Sequence, residues 1–348
     1  MAVVKTNAYG HGMIEVSKAL AGYGAEYLAV GSVEEGIILR QQGIALPILV
    51  LGVLLEPHIS ALLSHDLEFT VGSYALAASI ASAAASRGSP KAKVHLKIDT
   101  GMGRIGVVAK EAAEFVEKVS RLAHLEVAGI FTHLATADQL DKTFAREQLE
   151  SFTGVLDAVR RKGISIPCVH VANTSAVLDL PESYFTMVRP GIGLYGVYPS
   201  EEVSRSIALL PVLSLRSKVV YLKEVPPGTS ISYGRRYRTD RTTTIATVPV
   251  GYADGYSRRL TGASEVIIKG VRYPVVGSIC MDHLMLDLGP KAPAAVGDDV
   301  TFLGTEGSAS ITVWDLARKL GVIPYEVLTG ISARVPRVML HSNEKGIS

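Results

Sequence analysis

The first 200 residues alternate short apolar runs with longer segments in which apolar positions recur at the helical period. The longer segments are rich in Ala, Leu, Glu and Lys and predict helices, including Met13–Gly22, Val33–Gln42, Ser73–Arg87, Lys110–Ala123 and Thr143–Lys162. The short runs predict eight strands, at Ala2–Lys5, Tyr27–Val30, Ile48–Gly52, Glu68–Val71, Val94–Ile98, Val127–Thr132, Cys168–Val171 and Thr186–Val188. This alternation is typical of parallel strands joined by crossover helices, and eight units fit a closed barrel. An open, doubly wound sheet is the alternative.

The pattern changes after about residue 204. From Leu209 to Leu303 strict alternation replaces helical spacing, and Gly and Pro interrupt the sequence at short intervals. One further helix is predicted at Val313–Leu320. We therefore expect an α/β protein with a (β/α)8 TIM-type barrel over residues 1–203, followed by a mostly β C-terminal domain over residues 204–348.

Composition and charge narrow the class of protein. The chain has 348 residues, of which 48% are hydrophobic, and a formal net charge of +2, so no basic surface for nucleic acid is predicted. The most apolar window, Leu46–Leu55, is too short to span a bilayer. Two distant cysteines and the lack of a charged segment followed by an apolar one at the N-terminus predict a reduced, cytoplasmic protein without a membrane partner.

Several reactive side chains follow the predicted barrel strands at their carboxyl ends, where barrel enzymes place their active sites. They are Lys5, Arg104, His133, Asn173, Thr174, Arg189 and Gly191. A desolvated lysine at the mouth of a barrel has a lowered pKa and can form a Schiff base with an aldehyde. Position alone does not distinguish this role for Lys5 from that of a solvated lysine at the start of a loop.

The string around Lys5, VKTNAYGHG, resembles the pyridoxal-phosphate signature of alanine racemases. Further motifs occur in the order typical of that family, and together they extend over most of the chain: KIDTGMGRIG, THLATAD, HVANTSA, MVRPGIGLYG, ISYGRRY, VGYADGY, ICMDH and ISARVPR. A single short motif is weak evidence, whereas nine in order are specific.

The resemblance implies an enzyme that interconverts L-alanine and D-alanine with pyridoxal 5'-phosphate, and so supplies a peptidoglycan precursor. Lys5 would carry the cofactor in a Schiff base, and Arg189 would face its pyridine nitrogen. Arg104 and Met281 would bind the substrate carboxylate. The remaining cofactor contacts implied are Tyr9, Thr174, Gly191 and Ile192, with His133 either lining the cofactor or serving as a hydrogen-bonded structural histidine.

Racemisation requires two acid/base groups, because a proton leaves one face of the α-carbon and returns to the other. The resemblance assigns these roles to Lys5 and Tyr233. In the family, the residues matching Tyr233 and Met281 act across a subunit interface, which implies a homodimer with shared active sites. A buried tyrosine with a hydrogen-bonded hydroxyl is the alternative for Tyr233.

Lys97 and Asp99 lie two apart on the fifth predicted strand, so their side chains share one face. In the family the matching lysine is often carbamylated, and a carbamate would replace a cation by an anion able to orient Arg104. An ordinary surface Lys–Asp pair is the alternative. No spacing of His, Cys, Asp or Glu predicts a metal site.

Gly101, Gly103 and Gly106 spell G-x-G-x-x-G after a strand, which superficially matches a dinucleotide-binding fingerprint. The acidic residue that follows, Glu126, lies at the start of its strand and could not reach a ribose at the carboxyl edge of the sheet. The sequence therefore argues against a dinucleotide site.

Three other functions share parts of this scaffold. A serine or broad-specificity racemase would use the same barrel and the same two bases. A barrel-fold amino-acid decarboxylase would need a different partner residue, and ISYGRRY and ICMDH argue against it. A pyridoxal-phosphate carrier would resemble the barrel alone, so the β-rich domain with Tyr233 argues against a carrier.

In ISARVPR, Ala333 stands where the family commonly has a tyrosine that contacts the phosphate and braces the catalytic tyrosine. Its absence should widen the pocket, so we predict weaker cofactor retention and turnover of larger substrates such as serine. Chiral analysis of products from a panel of L-amino acids checks this. Turnover of alanine far above that of every other amino acid would contradict the widening.

Overall fold

The computed structural model describes residues 1–88 and 91–340. The chain divides into two compact units, Met1–Leu209 and Leu210–Ser348. Among the described residues, no helix has both the length and the apolar character needed to cross a membrane.

The first unit alternates strands and helices. Its strands are β1 Ala2–Val3, β2 Leu28–Val30, β3 Ile48–Val50, β4 Glu68–Val71, β5 Ala92–Asp99, β6 Val107–Val108, β7 Leu125–Phe131 and β8 Cys168–His170. Its helices are α1 Met13–Gly22, α2 Val33–Gln41, α3 Glu56–Ser64, α4 Tyr74–Ser86, α5 Ala109–Ser120, α6 Thr143–Arg161 and α7 Thr174–Asp179. The predicted helices are confirmed to within a few residues, while α3 and α7 were not predicted.

Seven strands pair in parallel in the order β1-β2-β3-β4-β5-β7-β8, and β6 pairs with β5. The stretch 186–190 lies between β8 and β1 and hydrogen-bonds to both. Met187 forms a parallel bridge with His170, the Met1 amino group donates to the Val188 carbonyl (3.0 Å), and the Val3 N–H donates to the Pro190 carbonyl (3.1 Å). These bonds complete the ring, and the predicted TIM-type barrel is confirmed.

Two strand predictions were wrong in detail. The eighth strand, expected at Thr186–Val188, is only an isolated bridge, because the Arg189 N–H turns to the Ala172 carbonyl (2.7 Å) and Pro190 has no N–H to continue a ladder. The first strand ends at Val3 instead of Lys5, because the backbone leaves the extended conformation just beyond it.

The barrel strands read as continuous apolar runs because both of their faces are covered. All three residues of β2 and of β3 are buried, as expected for a parallel sheet with helices outside and side chains inside.

Three helices begin at a residue whose side chain caps them. The side chains of Ser32, Ser73 and Asn173 each accept an N–H from the first turn of the helix that follows.

The second unit is built on antiparallel strands, which confirms the predicted β-rich C-terminal fold. The strands are β9 Leu215–Lys218, β10 Tyr221–Val225, β11 Ser230–Ile231, β12 Tyr237–Arg238, β13 Thr243–Val248, β14 Glu265–Ile268, β15 Val271–Val276, β16 Leu284–Asp287, β17 Asp299–Glu306 and β18 Ala309–Ile311. The main sheet has the order β10-β13-β16-β15-β14-β17-β18, β9 pairs with β17, and β11 and β12 form a separate pair. The core of this unit includes a cluster of Ile231, Ile245 and Val276. Two helices follow, α8 Val313–Leu320, with the predicted bounds, and α9 Pro324–Thr329.

Candidate active site

A left-handed turn fixes Lys5 just beyond β1. Residues 6–9 all have φ between 52° and 55°, a conformation that L-residues rarely adopt in succession. The N–H groups of Gly10 and Gly12 donate to the carbonyls of Thr6 and Asn7 (both 3.0 Å), and the Asn7 side chain accepts from the Met13 N–H (2.8 Å). Such strain persists only where the surroundings enforce it, and it concentrates at functional sites.

The Lys5 amine lies in a half-buried position near one cation and one anion. Burial and the Arg104 guanidinium lower its pKa, and the Glu35 carboxylate opposes them. Glu35 accepts hydrogen bonds from the backbone N–H groups of Asn7 (3.2 Å) and Gly31 (2.8 Å), so its charge is turned toward the loops around Lys5. The net effect lowers the pKa and so makes the neutral, nucleophilic amine easier to form than in a free lysine.

Sequence reasoning did not identify Glu35. The spacing of Ser32 and Glu35 matches a capping box, in which the glutamate would bond only to the start of its own helix. Ser32 does cap the Glu35 N–H (3.3 Å), but the Glu35 carboxylate reaches beyond the cap to two other loops. The capping signal was therefore present and pointed to a purely local role.

A second group of residues forms a cradle of hydrogen-bond donors. The Thr174 hydroxyl accepts the N–H groups of Gly191 (2.9 Å) and Gly193 (3.2 Å), and within the described residues the Ile192 N–H has no partner. The Tyr9 hydroxyl packs directly against Gly191, because a Cβ added to that glycine would lie 2.5 Å from the hydroxyl oxygen. Burial raises the pKa of Tyr9 to about 12, which keeps this phenol protonated.

These donors suit a phosphate group. Hydroxyls and backbone N–H groups at the starts of helical turns are the usual ligands of phosphate in proteins. The structure thus brings together Tyr9, Thr174, Gly191 and Ile192 as predicted, and it adds Gly193, which the sequence reasoning missed.

Arg189 is buried, with 4% of its surface exposed, and is held by backbone and side-chain acceptors. Its Nη1 donates to the Nδ1 (3.0 Å) and carbonyl oxygen (2.7 Å) of His170, and its Nη2 donates to the carbonyls of Thr132 (2.9 Å) and Val171 (3.0 Å). His170 thus supports Arg189 directly. The Nε–H has no acceptor in the described part of the chain and remains available to a ligand.

Positive charge dominates this end of the barrel. The half-buried His133 ring lies 3.4 Å from the Arg189 guanidinium. Burial and then the charges of Arg189, Lys97, Arg104 and Lys5 hold the pKa of His133 well below its usual value, so the ring is neutral. Four predicted site residues, all basic, therefore act electrostatically on His133, and this cluster of positive charge favours anionic ligands.

Lys97 is buried at 2% exposure, and its Nζ has no hydrogen-bond partner among the described residues. It lies 4.9 Å from the centre of the Phe131 ring, and burial followed by the charges of Arg189 and Arg104 lowers its pKa to about 7. The alternative of a surface Lys–Asp pair is therefore wrong.

Asp99 instead organises the loop after β5. Its carboxylate accepts the N–H groups of Gly101 (3.0 Å) and Gly103 (3.1 Å), which a dinucleotide phosphate would otherwise use. Arg104 extends from the same loop as an exposed side chain, and within the described residues it makes no ion pair. Its guanidinium is thus positioned near Lys5 and open to a carboxylate.

Tyr233 lies in the second unit with 70% of its surface exposed. Its carbonyl accepts the Ser278 hydroxyl (2.9 Å), and the Ser232 hydroxyl donates to the Ser278 carbonyl (2.6 Å), so the main chain is clamped while the phenol faces outward. The alternative of a buried structural tyrosine is therefore wrong.

Met281 lies on a neighbouring loop of the same unit. Its carbonyl accepts the Ala253 N–H (3.1 Å), and a Cβ on Gly251 would lie 2.1 Å from that carbonyl, so only glycine permits this approach. The Met281 N–H itself finds no acceptor in the described part of the chain. The chain thus leaves a free backbone donor at Met281, the residue for which the resemblance implies a contact with the substrate carboxylate.

Comparison with known families gives matches over both units. The model described as "Alanine racemase, N-terminal domain" matches residues 1–199, and that described as "Alanine racemase, C-terminal domain" matches residues 212–339. A protein named alanine racemase 2 from Caldanaerobacter subterraneus subsp. tengcongensis is 45% identical over 345 residues, which cover 99% of this chain and 89% of that protein.

Solved structures give the same result. An alanine racemase from Clostridium difficile 630 matches with a TM-score of 0.94 at 42% identity, covering 99% of this chain and 89% of the other. A histidine racemase from Leuconostoc mesenteroides subsp. sake matches with a TM-score of 0.91 at 28% identity, covering 98% and 91% of the two chains.

The burial of Lys97 predicts a pH-dependent stability. Between its folded pKa of about 7 and its ordinary value of 10.5, the unfolded chain binds a proton that the folded chain does not. The free energy of unfolding of the wild type should therefore rise with pH relative to Lys97→Met, and at pH 7 the variant should be more stable by a few kcal/mol. Urea unfolding in CO2-free buffer measures this difference.

Lys93→Met, which removes a half-exposed lysine of the same strand, is the matched control for loss of a lysine. Stability curves for wild type and Lys97→Met that run parallel between pH 7 and pH 10.5 would contradict the burial argument.

Proposed function

The chain belongs to the alanine racemase family, and from this premise we propose that it interconverts L-alanine and D-alanine with bound pyridoxal 5'-phosphate and two bases, Lys5 and Tyr233. The observation that carries the proposal is the position of the Lys5 amine. It lies near the Arg104 guanidinium, and both charges, with those of Lys97 and Arg189, act on His133 in the unit that also contains the Thr174 cradle.

The described residues fit the cofactor. Its phosphate would bind to the hydroxyls of Tyr9 and Thr174 and to the unused N–H of Ile192, and the Gly191 N–H, which donates to Thr174, would be shared with the phosphate. The free Arg189 Nε–H would face the ring nitrogen. Bound to Lys5 or substrate through its aldehyde carbon, pyridoxal phosphate supplies an electron sink for negative charge at the α-carbon. Because an arginine does not readily give up its proton, Arg189 would act as a donor to that nitrogen.

Each base would serve one face of the substrate. The Lys5 Nζ, favoured in its neutral form by burial and by Arg104, would accept or return the α-proton on one side. The Tyr233 hydroxyl would do the same on the other side. Arg104 and the Met281 N–H would hold the substrate carboxylate, which fixes the α-hydrogen between the two bases.

Tyr233 and Met281 would come from a second copy of the chain. In a single chain their side chains are 70% and 53% exposed, whereas proton transfer to carbon benefits from exclusion of water. A homodimer in which each active site combines the barrel of one subunit with the β-rich unit of its partner would provide that exclusion.

A broader amino-acid substrate is the second candidate. Ala333 is small and exposed in this chain, and a protein named histidine racemase shares the fold at 28% identity. Both observations are compatible with a larger side chain on the same two-base arrangement.

We propose further that Lys97 is carbamylated. Carbamylation requires a neutral amine, and burial lowers the pKa of Lys97 to about 7. The modification would convert an unpartnered buried cation into an anion between Arg104 and Arg189, whose charges now act unfavourably on it.

Carbamylation of Lys97 predicts a new carbonyl signal when the protein is equilibrated with 13C-labelled bicarbonate and studied by 13C NMR. The signal should be present in the wild type and in Lys93→Met, and absent in Lys97→Met. A signal that persists in Lys97→Met, or no signal in the wild type, would rule out the modification at this position.

Racemisation is tested by incubating the chain with pyridoxal phosphate and L-alanine in D2O. The proposal predicts loss of optical activity with deuterium at the α-carbon. Tyr233→Phe removes one base, so racemisation should fall by a factor of about 1000 or more, while absorbance of the Lys5-bound cofactor is retained.

The matched control is Tyr221→Phe, which alters another exposed tyrosine of the same unit and should keep wild-type turnover. Near-normal racemisation by Tyr233→Phe would show that this phenol is not a base, and α-deuterium uptake without racemisation would indicate a different reaction.

A further inference from the structure

A chain of buried hydrogen bonds leads from Arg189 into the barrel. Arg189 Nη1 lies 3.0 Å from His170 Nδ1, His170 Nε2 lies 2.8 Å from His95 Nδ1, and His95 Nε2 lies 2.8 Å from Glu68 Oε2. All four side chains are buried. We call this chain, Arg189–His170–His95–Glu68, the relay.

Arginine sets the direction of every bond in the relay. A guanidinium can only donate, so His170 Nδ1 must accept and its proton must be on Nε2. That proton is donated to His95 Nδ1, which leaves the His95 proton on Nε2, directed at Glu68. A carboxylate is the end group that such a chain requires, because it only accepts.

The packing holds both rings in these orientations. The His170 ring stacks on Phe131, with ring centres 4.6 Å apart and planes 9° apart. A Cβ on Gly129 would lie 2.2 Å from His95 Nδ1, so glycine provides the space for the His95 ring. These contacts restrain both rings in the orientations that the hydrogen bonds require.

The relay spans the barrel from one end to the other. Glu68 is the first residue of β4, and its other oxygen lies 3.4 Å from the Tyr27 hydroxyl and 3.9 Å from Lys93 Nζ. Arg189 belongs to the opposite end, where the carboxyl ends of the strands lie. Glu68 therefore acts on Arg189 only through the two histidines.

We propose that Glu68 and His95 are positioning residues for Arg189, which fix both histidine tautomers so that Arg189 presents its Nε–H to the ring nitrogen of the cofactor. The role of Arg189 in this inference rests on the proposed function, whereas the tautomers of the two histidines do not depend on it. Without the Glu68 acceptor, the His95 proton can move to Nδ1. The His170 proton must then move to its own Nδ1, where it opposes the Arg189 N–H.

The tautomers are tested without cofactor. The full chain is labelled with 15N-histidine, its nine histidines are resolved by NMR, and single histidine variants assign the signals. We expect neutral Nε2–H forms for both His95 and His170 in the wild type and in Tyr27→Phe, and loss of this paired signature in Glu68→Leu. An Nδ1–H form of His170 in the wild type, or unchanged tautomers in Glu68→Leu, would overturn the proposal.

Steady-state kinetics test the consequence for Arg189. Glu68→Leu should lower kcat about tenfold with little change in KM, as expected when the support of a buried charged group is lost. The isosteric Glu68→Gln keeps an acceptor oxygen but not the charge, and it should lower kcat about threefold. Tyr27→Phe, which removes the contact to the other Glu68 oxygen, is the matched control and should keep wild-type kcat.

If Glu68→Leu does not fold, Glu68→Gln decides, and an unchanged kcat in that variant overturns the proposal. A wild-type chain that shows the expected tautomers but does not racemise alanine would count against the proposed function alone. Full racemisation by the wild type with an equally active Glu68→Gln would count against the relay alone.

Discussion

The concentration of positive charge at the carboxyl end of the barrel is the constraint on which the rest of the site depends. Lys5, Lys97, Arg104 and Arg189 all act electrostatically on His133, and each cation that is buried carries a desolvation penalty. Two carboxylates oppose these four cations, Glu35 at Lys5 and Asp99 at Lys97, so the positive charge is neutralised only in part. The site is therefore balanced only when an anion is bound.

This imbalance connects stability to function. A ligand that binds the folded chain and not the unfolded one stabilises the fold, and an anionic ligand does so most effectively where the protein has left cations unpaired. The donors of Thr174, Gly191 and Ile192 and the free guanidinium of Arg104 are two distinct places for negative charge. A cofactor phosphate and a substrate carboxylate are groups of that kind, so the unpaired charge that weakens the empty barrel also selects its ligands.

Much of this arrangement could be predicted from the sequence, because strand and helix periods are local. The alternation of apolar runs and helical segments gave the barrel, and strand ends located Lys5, Arg104 and Arg189. The left-handed turn at residues 6–9 could not be predicted, since Thr, Ala and Tyr do not favour positive φ and Asn adopts it only as a single residue, so that tertiary contacts must enforce four in succession. Residues Thr186–Val188 were predicted to form a strand because periodicity does not reveal where each N–H will bond.

The relay shows the same limit at longer range. Glu68 and His95 are 27 residues apart and His95 and His170 are 75 apart, so no spacing rule joins them, and each occurs as an isolated polar residue beside apolar neighbours in its strand. In barrel enzymes, residues at the amino-terminal ends of strands generally contribute to stability and those at the carboxyl ends to chemistry. Glu68 begins its strand, yet the directional bonds that start from Arg189 end on its carboxylate. A buried carboxylate so placed serves stability and chemistry through the same hydrogen bonds, because the acceptor that satisfies His95 also determines which nitrogen of His170 faces the guanidinium.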